Sequence, residues 1–335
     1  MLDGHGDDVY RYDREIVSNF SSNVYNQTDL SGLKKYLSTQ LGLIATYPHP
    51  EAASLQQKIA AKNAIPPGSV CVTNGSIESI YLIAQAFQNM CSGILIPTFS
   101  EYADACNIHK HQVKYIYTLD GVGEFDVVWL CNPNNPTGRV YDKIYLMEVI
   151  SRHPDVCFVL DQVYESFVIK PVFSSAEAMV MPNVILLHSL TKKYAIPGLR
   201  LGYVTAHEDL VCRLRMQRMP WSVNSMAIAA GHYLLDQDGP LDISSYLREK
   251  ERLFAALQSI NDLDVFHSDT HFMLLRLRRG KAVDMKEFLA NEYGILIRDA
   301  SNFQGLNESY VRIATQTPAE NNMLVEAVRE WFAKP

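Results

Sequence analysis

Between residues 70 and 206 short apolar runs alternate with helix-length amphipathic stretches, and few architectures accept that order. The runs are VCVT (70–73), GILIP (93–97), VKYIY (113–117), FDVVWLCN (125–132), VCFVLDQV (156–163), NVILLHSL (183–190) and LGYVTA (201–206). SIESIYLIAQAFQNM (76–90) and DKIYLMEVISRH (142–153) read as helices between them. Strands that are apolar on both faces need helices on both faces, which predicts an α/β fold around a mostly parallel sheet. In such sheets ligands sit beyond the carboxyl ends of the strands, so the chemistry is sought just after each apolar run.

Beyond Met219 the pattern changes. A helical stretch near 240–260 leads into LDVFHS, HFMLLRLR, a helix near 282–292, GILIRD, YVRIAT and a last helix from Pro318. The expected organisation is a large domain over 36–218 and a smaller α+β domain made of 1–35 and 219–335. With 335 residues, 47% hydrophobic, the chain has material for both. A net charge of −7 without a long basic run argues against nucleic acid or an anionic membrane as partner. Six scattered cysteines form no CxxC pair, so neither a disulfide framework nor a zinc site is expected. No apolar leader or membrane span is visible, and the cytoplasm is the default location.

The residues after the runs are unusually polar. Asn74-Gly75-Ser76-Ile77 follows VCVT; a glycine turn opening a helix offers free N–H groups to a phosphate, though a plain Ser-capped turn looks the same. Asn132-Pro133-Asn134-Asn135-Pro136-Thr137-Gly138 makes a stiff loop with amides at fixed angles. Asp161 ends a strand and Tyr164 follows; alone, the Asp reads equally as a helix N-cap. Thr191-Lys192-Lys193 closes NVILLHSL, with Arg200 eight residues past Lys192. A phosphate cradle, an amide loop, a carboxylate and a lysine at the strand ends of one sheet match the needs of pyridoxal 5′-phosphate. Its aldehyde takes an amine, its pyridine nitrogen a carboxylate, and its phosphate N–H groups plus Arg.

NPNNPTG, Asp161 with Tyr164, and SLTK followed by GLRLGY occur in an order that resembles the fold-type I aminotransferase superfamily over essentially the whole length. SLTKKYAIPGLRLGY, MPWSVN (219–224), ILIRDASNFQGL (295–306) and Gly4-His5-Gly6 ahead of FSSN (20–23) are most similar to the threonine-phosphate decarboxylases of cobalamin biosynthesis, close to the histidinol-phosphate aminotransferases. The resemblance implies the aspartate aminotransferase-like fold, a seven-stranded sheet sandwiched by helices, and a homodimer. It makes Lys192 the Schiff-base lysine and acid/base, puts Asp161 on the pyridine nitrogen, Asn135 and Tyr164 on the phenolic oxygen, and stacks Tyr102 on the ring. Gly75, Ser76, Ile77, Ser189 and Arg200 would bind the phosphate, with Tyr47 arriving from the partner subunit. Arg312 would clamp the substrate carboxylate, with Asn23, Arg298 and His5 as further substrate contacts. The implied reaction is decarboxylation of L-threonine O-3-phosphate. Transamination of histidinol phosphate or another amino acid with 2-oxoglutarate is the alternative, and a non-catalytic binding or regulatory protein a third. The short stretch 118–124 departs from relatives, which insert a helix there.

Other features read as structural. RLRMQRMPW (213–221) is expected to show a solvated basic face, Tyr115, Tyr117 and Trp129 to pack, and His109 and His111 to hold no metal, since i and i+2 do not face each other on a helix.

Overall fold

The computed structural model describes residues 6–237, 239 and 241–334. Thirteen strands are assigned among these residues: β1 (Ser18–Asn19), β2 (Val70–Thr73), β3 (Cys91–Leu95), β4 (Gln112–Ile116), β5 (Val127–Cys131), β6 (Cys157–Asp161), β7 (Val184–Ser189), β8 (Gly202–Ala206), β9 (Leu263–Val265), β10 (Phe272–Leu277), β11 (Ile295–Leu296), β12 (Arg298–Asp299) and β13 (Tyr310–Ala314). Seven form one sheet in the order β2-β8-β7-β6-β5-β3-β4. All run parallel except β8, which is antiparallel to both neighbours. The central strands β5 and β6 are buried at every position, as their unbroken apolar runs predict.

Each face of this sheet carries its own apolar cluster. Trp129, Ile80, Ile83 and Tyr102 lie on one side, and Phe158, Leu160, Leu146 and Phe173 on the other. The helix Lys143–Arg152 starts where Asp142 accepts the Tyr145 N–H, so its N-terminal donors are satisfied and its apolar stripe can settle on the sheet. Trp129 packs, fully buried. Tyr115 on β4, the edge strand, and Tyr117 just past its end do not: they are 41% and 71% exposed. His111 is held by Ser92 Oγ and the Ala84 carbonyl. The short 118–124 stretch closes through a 3-10 turn, Val122–Glu124, with Leu119 and Val122 buried beneath it.

The basic face of 213–221, expected to be solvated, is partly engaged with backbone instead. Arg213 donates to the Ala86 carbonyl and covers the Phe87 ring at 3.8 Å, and Arg215 donates to the carbonyls of Pro67 and Val70. These half-buried guanidiniums tie neighbouring elements together while their stems cover apolar surface.

A four-stranded antiparallel sheet, β12-β13-β10-β9, forms the second body, backed by the helices Ile243–Gln258, Ala282–Tyr293 and Pro318–Ala333. Thr317 and Glu320 close a capping box ahead of Pro318 and fix where the last helix begins. The N-terminal segment joins this body through β1, which pairs parallel to β11. The helix Ser225–Asp236 behaves differently. Its Ala227, Ala230 and Leu234, with Val223 just ahead of the helix, pack with Leu55 and Leu201 of the large body and with Leu33. We propose to draw the boundary after Asp236 rather than at 218/219, because a domain is bounded where its apolar cluster ends.

Candidate active site

One edge of the large sheet collects the polar residues that follow the apolar runs. Parallel β2, β5, β6 and β7 all end there, and antiparallel β8 begins there, so Gly75, Asn135, Asp161, Lys192 and Arg200 meet although 125 residues separate the first from the last. A cavity of about 230 Å³ opens between this edge and the second body.

The phosphate-type turn is built by two glycines. Gly75 has φ +80, and a Cβ on it would lie 2.6 Å from Arg200 Nη2. A Cβ on Gly202 would come within 2.7 Å of the Ser76 nitrogen, so only glycine lets β8 press against the turn. The helix Gly75–Ala86 starts here, and Ser76 and Ile77 of its first turn line the cavity. Arg200 itself is left-handed at φ 57, a strained state for a side-chain-bearing residue that packing must hold in place. Ser189 caps the short helix Leu190–Lys193 by accepting the Thr191 N–H, and this sets Lys192 on the cavity wall.

Asp161 is buried, with Oδ2 accepting from the Tyr102 hydroxyl at 2.5 Å and Oδ1 from the Val163 N–H at 3.1 Å. Burial raises its carboxyl above the usual range, and those two donors only partly oppose this. A cationic ring nitrogen would reverse the balance and hold it ionised. The Tyr102 ring lies on Trp129, stacked at 5.6 Å, and also lines the cavity. Burial, then the Arg312 and Arg200 charges, bring the Lys192 amine down to about 8, against the pull of Asp7 and Asp161.

The opposite wall comes from β12, β13 and the N-terminal segment. Arg298 and Arg312 face each other across the β12–β13 ladder, both buried. Arg312 donates from Nη1 to Asn135 Oδ1 at 2.6 Å and from Nη2 to the Ser21 carbonyl, while its Nε has no partner among the described residues. Arg298 donates to Asn302 Oδ1 at 2.8 Å and lies over the Phe303 ring. Burial lowers Arg312 to about 10, and burial together with the Arg312 charge lowers Arg298 to about 9. Two like charges packed this closely out of water point to an anion that would neutralise them. Asn23 donates to the Tyr164 hydroxyl at 3.2 Å, and its Oδ1 has no partner among the described residues. Burial raises Tyr164 to about 12, so it stays a neutral donor.

Twelve of the expected residues therefore line one cavity: Asn23, Ser76, Ile77, Tyr102, Asn135, Asp161, Tyr164, Ser189, Lys192, Arg200, Arg298 and Arg312. Gly75 stands just behind Arg200. Tyr47 is elsewhere, 85% exposed, its ring 5.6 Å from that of Trp221 in a separate surface groove. His5 lies outside the described residues. Sequence reasoning missed Asp7, Cys131 and Phe303 on the wall. Phe303 sits inside a segment already singled out, but nothing marked it from its neighbours. Cys131 looked like one more strand hydrophobe; burial raises its thiol, which donates to the Pro133 carbonyl.

Compared with known proteins, the chain matches aminotransferase class I and II over residues 15–328. The chain belongs to that family. It is 32% identical over 329 residues to the threonine-phosphate decarboxylase of Salmonella typhimurium, covering 92% of this chain and 90% of the relative. It is 31% identical over 301 residues to a histidinol-phosphate aminotransferase of Caldanaerobacter subterraneus subsp. tengcongensis, covering 85% and 84%. The crystal structure of L-threonine-O-3-phosphate decarboxylase from Porphyromonas gingivalis superposes with a TM-score of 0.93 at 39% identity, covering 95% of this chain and all of that one. The chain is an enzyme, with pyridoxal 5′-phosphate as cofactor. The residues present fit that group. The glycine cradle under Arg200 has no room for a side chain, and Asn23 Oδ1 and Arg312 Nε are buried polar atoms awaiting partners. Among the described residues no helix is long and apolar enough to cross a membrane.

Proposed function

We propose that this enzyme decarboxylates L-threonine O-3-phosphate, releasing CO₂ and (R)-1-amino-2-propanol O-2-phosphate, as a step toward cobalamin. The observation that carries this reading is the pair Arg298 and Arg312, opposite each other in register on the wall facing Lys192. A phosphorylated amino acid brings two anionic groups, a carboxylate and a phosphate, for two buried guanidiniums. Histidinol phosphate brings one. The likeness to two proteins named threonine-phosphate decarboxylase supports the same reading.

In this reading Lys192 holds the cofactor and serves as acid/base, and Asp161 pairs with the ring nitrogen while Tyr102 lies against the ring. Ser76, Ile77, Ser189 and Arg200, with Gly75 giving the space, bind the phosphate through N–H groups and charge. Arg312 donates to Asn135 Oδ1, so the Asn135 NH₂ would be the group left to donate to the phenolic oxygen. Asn23 donates to Tyr164, which frees the tyrosine proton for the same oxygen. Arg312 takes the substrate carboxylate and Arg298 its phosphate, with Asn23 and His5 as further contacts. The bound cofactor supplies an electron-poor ring that accepts the electron pair of whichever Cα bond stands perpendicular to it. By setting the carboxylate direction, Arg312 selects the C–CO₂ bond for cleavage, and Lys192 then returns a proton to Cα.

A histidinol-phosphate aminotransferase would use the two arginines on the two carboxylates of 2-oxoglutarate, and the likeness to such enzymes favours it as the second reading. Purified enzyme given L-threonine O-3-phosphate should evolve CO₂ with no keto acid added. Glutamate formed from 2-oxoglutarate and histidinol phosphate, without CO₂ from the phosphothreonine, overturns the proposal. A homodimer belongs to it as well: Tyr47 would reach the phosphate of the neighbouring subunit, from a surface where Ile44, Tyr47 and Met219 are all more than 70% exposed. An active species that sediments as a monomer excludes that part.

A further inference from the structure

Behind the cavity wall sits a histidine used by neither the motifs nor the cofactor chemistry. His271 is fully buried, one residue ahead of β10. It packs among Tyr164, Phe167, Tyr246 and Phe272, with the Phe167 ring nearest at 4.0 Å. Both ring nitrogens are engaged: Nε2 lies 3.1 Å from the Asn23 carbonyl oxygen and Nδ1 lies 3.1 Å from Thr270 Oγ1. A carbonyl can only accept, so Nε2 carries the proton, and the Thr270 hydroxyl donates to Nδ1. Burial first, then the charges of Arg312 and Lys192, push the imidazole down to about 3. The ring is therefore one donor and one acceptor throughout the neutral range, never a cation beside two others.

The bond to Asn23 reaches the site by a short path. Asn23 Nδ2 donates to the Tyr164 hydroxyl, its Oδ1 is buried with no partner among the described residues, and the residue lines the cavity. Two residues on, the Tyr25 N–H donates to the Lys192 carbonyl at 2.9 Å. The 23–25 backbone is thus strung between His271 and the segment that carries the reactive lysine. We propose that His271 is a positioning residue: the bond from its Nε2 to the Asn23 carbonyl sets the Asn23 amide against Tyr164 and so aims the Tyr164 proton into the cavity. Resting on the reading above, the acceptor of that proton is the phenolic oxygen of the cofactor. A donor on that oxygen competes with the proton shared between it and the Lys192 nitrogen, and so makes that proton easier to lose. His271 thereby reaches the reactive linkage without touching it.

The test uses the cofactor-loaded full chain. In His271→Phe the ring volume stays in the aromatic box but the donor is gone. The pH midpoint of the visible absorption band should rise by about one unit, and KM for L-threonine O-3-phosphate by about tenfold with kcat less affected, the scale of one lost buried hydrogen bond. His271→Gln, whose Nε2 can donate in place of the ring Nε2, should restore both. Thr270→Val keeps the ring but removes the donor to Nδ1, and should shift the midpoint upward by less. A Phe variant with wild-type midpoint and KM overturns the proposal, and so does a Gln variant as impaired as the Phe variant, because volume alone would then explain the effect. If His271→Phe does not accumulate as folded protein, an unshifted midpoint in Thr270→Val overturns it. The absorption midpoint needs no substrate, so a wild type that turns over neither phosphorylated compound sinks the functional reading and leaves this one standing.

Discussion

Trace acetylation of the unloaded chain across pH 6 to 11 should label Lys192 along a curve centred near 8, because only the free amine reacts. Its pKa is lowered from the ordinary 10.5 to about 8, chiefly by burial and then by Arg312. The free fraction is 1/(1 + 10^(pKa − pH)). At pH 7 that is about 9% for Lys192 and about 0.03% for an ordinary lysine, a gain of about 300-fold. From pH 7 to 9 labelling should rise about tenfold and then level off, where an ordinary lysine climbs about 100-fold and continues. Exposed Lys114, whose pairing with Glu124 raises its pKa, provides the internal reference, and fragment masses separate Lys192 from Lys193. Arg312→Gln should move the Lys192 midpoint upward, toward the reference, by removing the like charge that most depresses it. A Lys192 curve that coincides with that of Lys114 would refute the argument that the cavity prepares the amine for its aldehyde.

Asp161→Asn should still take up pyridoxal 5′-phosphate but lose roughly two to three orders of magnitude in turnover, read as kcat under saturating cofactor, since a neutral amide cannot hold a ring proton. Gly75→Ala puts a methyl 2.6 Å from Arg200 Nη2 at φ +80, and equilibrium dialysis should show cofactor affinity reduced by roughly tenfold or more. Arg312→Lys cannot hold Asn135 Oδ1 and the Ser21 carbonyl at once, so KM should rise roughly 10- to 100-fold and Arg312→Lys should not behave as a conservative change. Trp129→Ala, emptying a fully buried position between Tyr102 and the sheet, should cost about 3–5 kcal/mol in denaturant unfolding.

Several elements were legible because their signals are local. β2 is the run VCVT itself, the last helix starts at Pro318 as its Thr-x-x-Glu box implies, and Asp161 closes β6 where the polar residue interrupts VCFVL. Other features depend on neighbours distant in sequence. Tyr115 and Tyr117 carry a strand pattern, yet their exposure follows from β4 being last in the sheet order. The arginines of 213–218 look like a charged helix face, but carbonyls 127 to 148 residues away capture two of them. The helix Ser225–Asp236 reads as the start of the second body, whereas its apolar side matches Leu33 and Leu55. His271 carries no local mark of its position, since its partner is the carbonyl of a residue 248 positions earlier.

By itself the order of residues determined the sheet-forming runs, the glycine turn at Gly75, and the set of functional groups that pyridoxal 5′-phosphate requires. Those are properties of short windows: periodicity, backbone freedom and chemical type. Only the tertiary structure decided that Arg298 faces Arg312, that Arg312 bonds the Asn135 amide oxygen, and that His271 bonds the Asn23 carbonyl. Those depend on the register between β12 and β13 and on how the N-terminal segment lies across both bodies. Such long-range pairing is selected by burial summed over the whole fold, and no short window of sequence contains that sum.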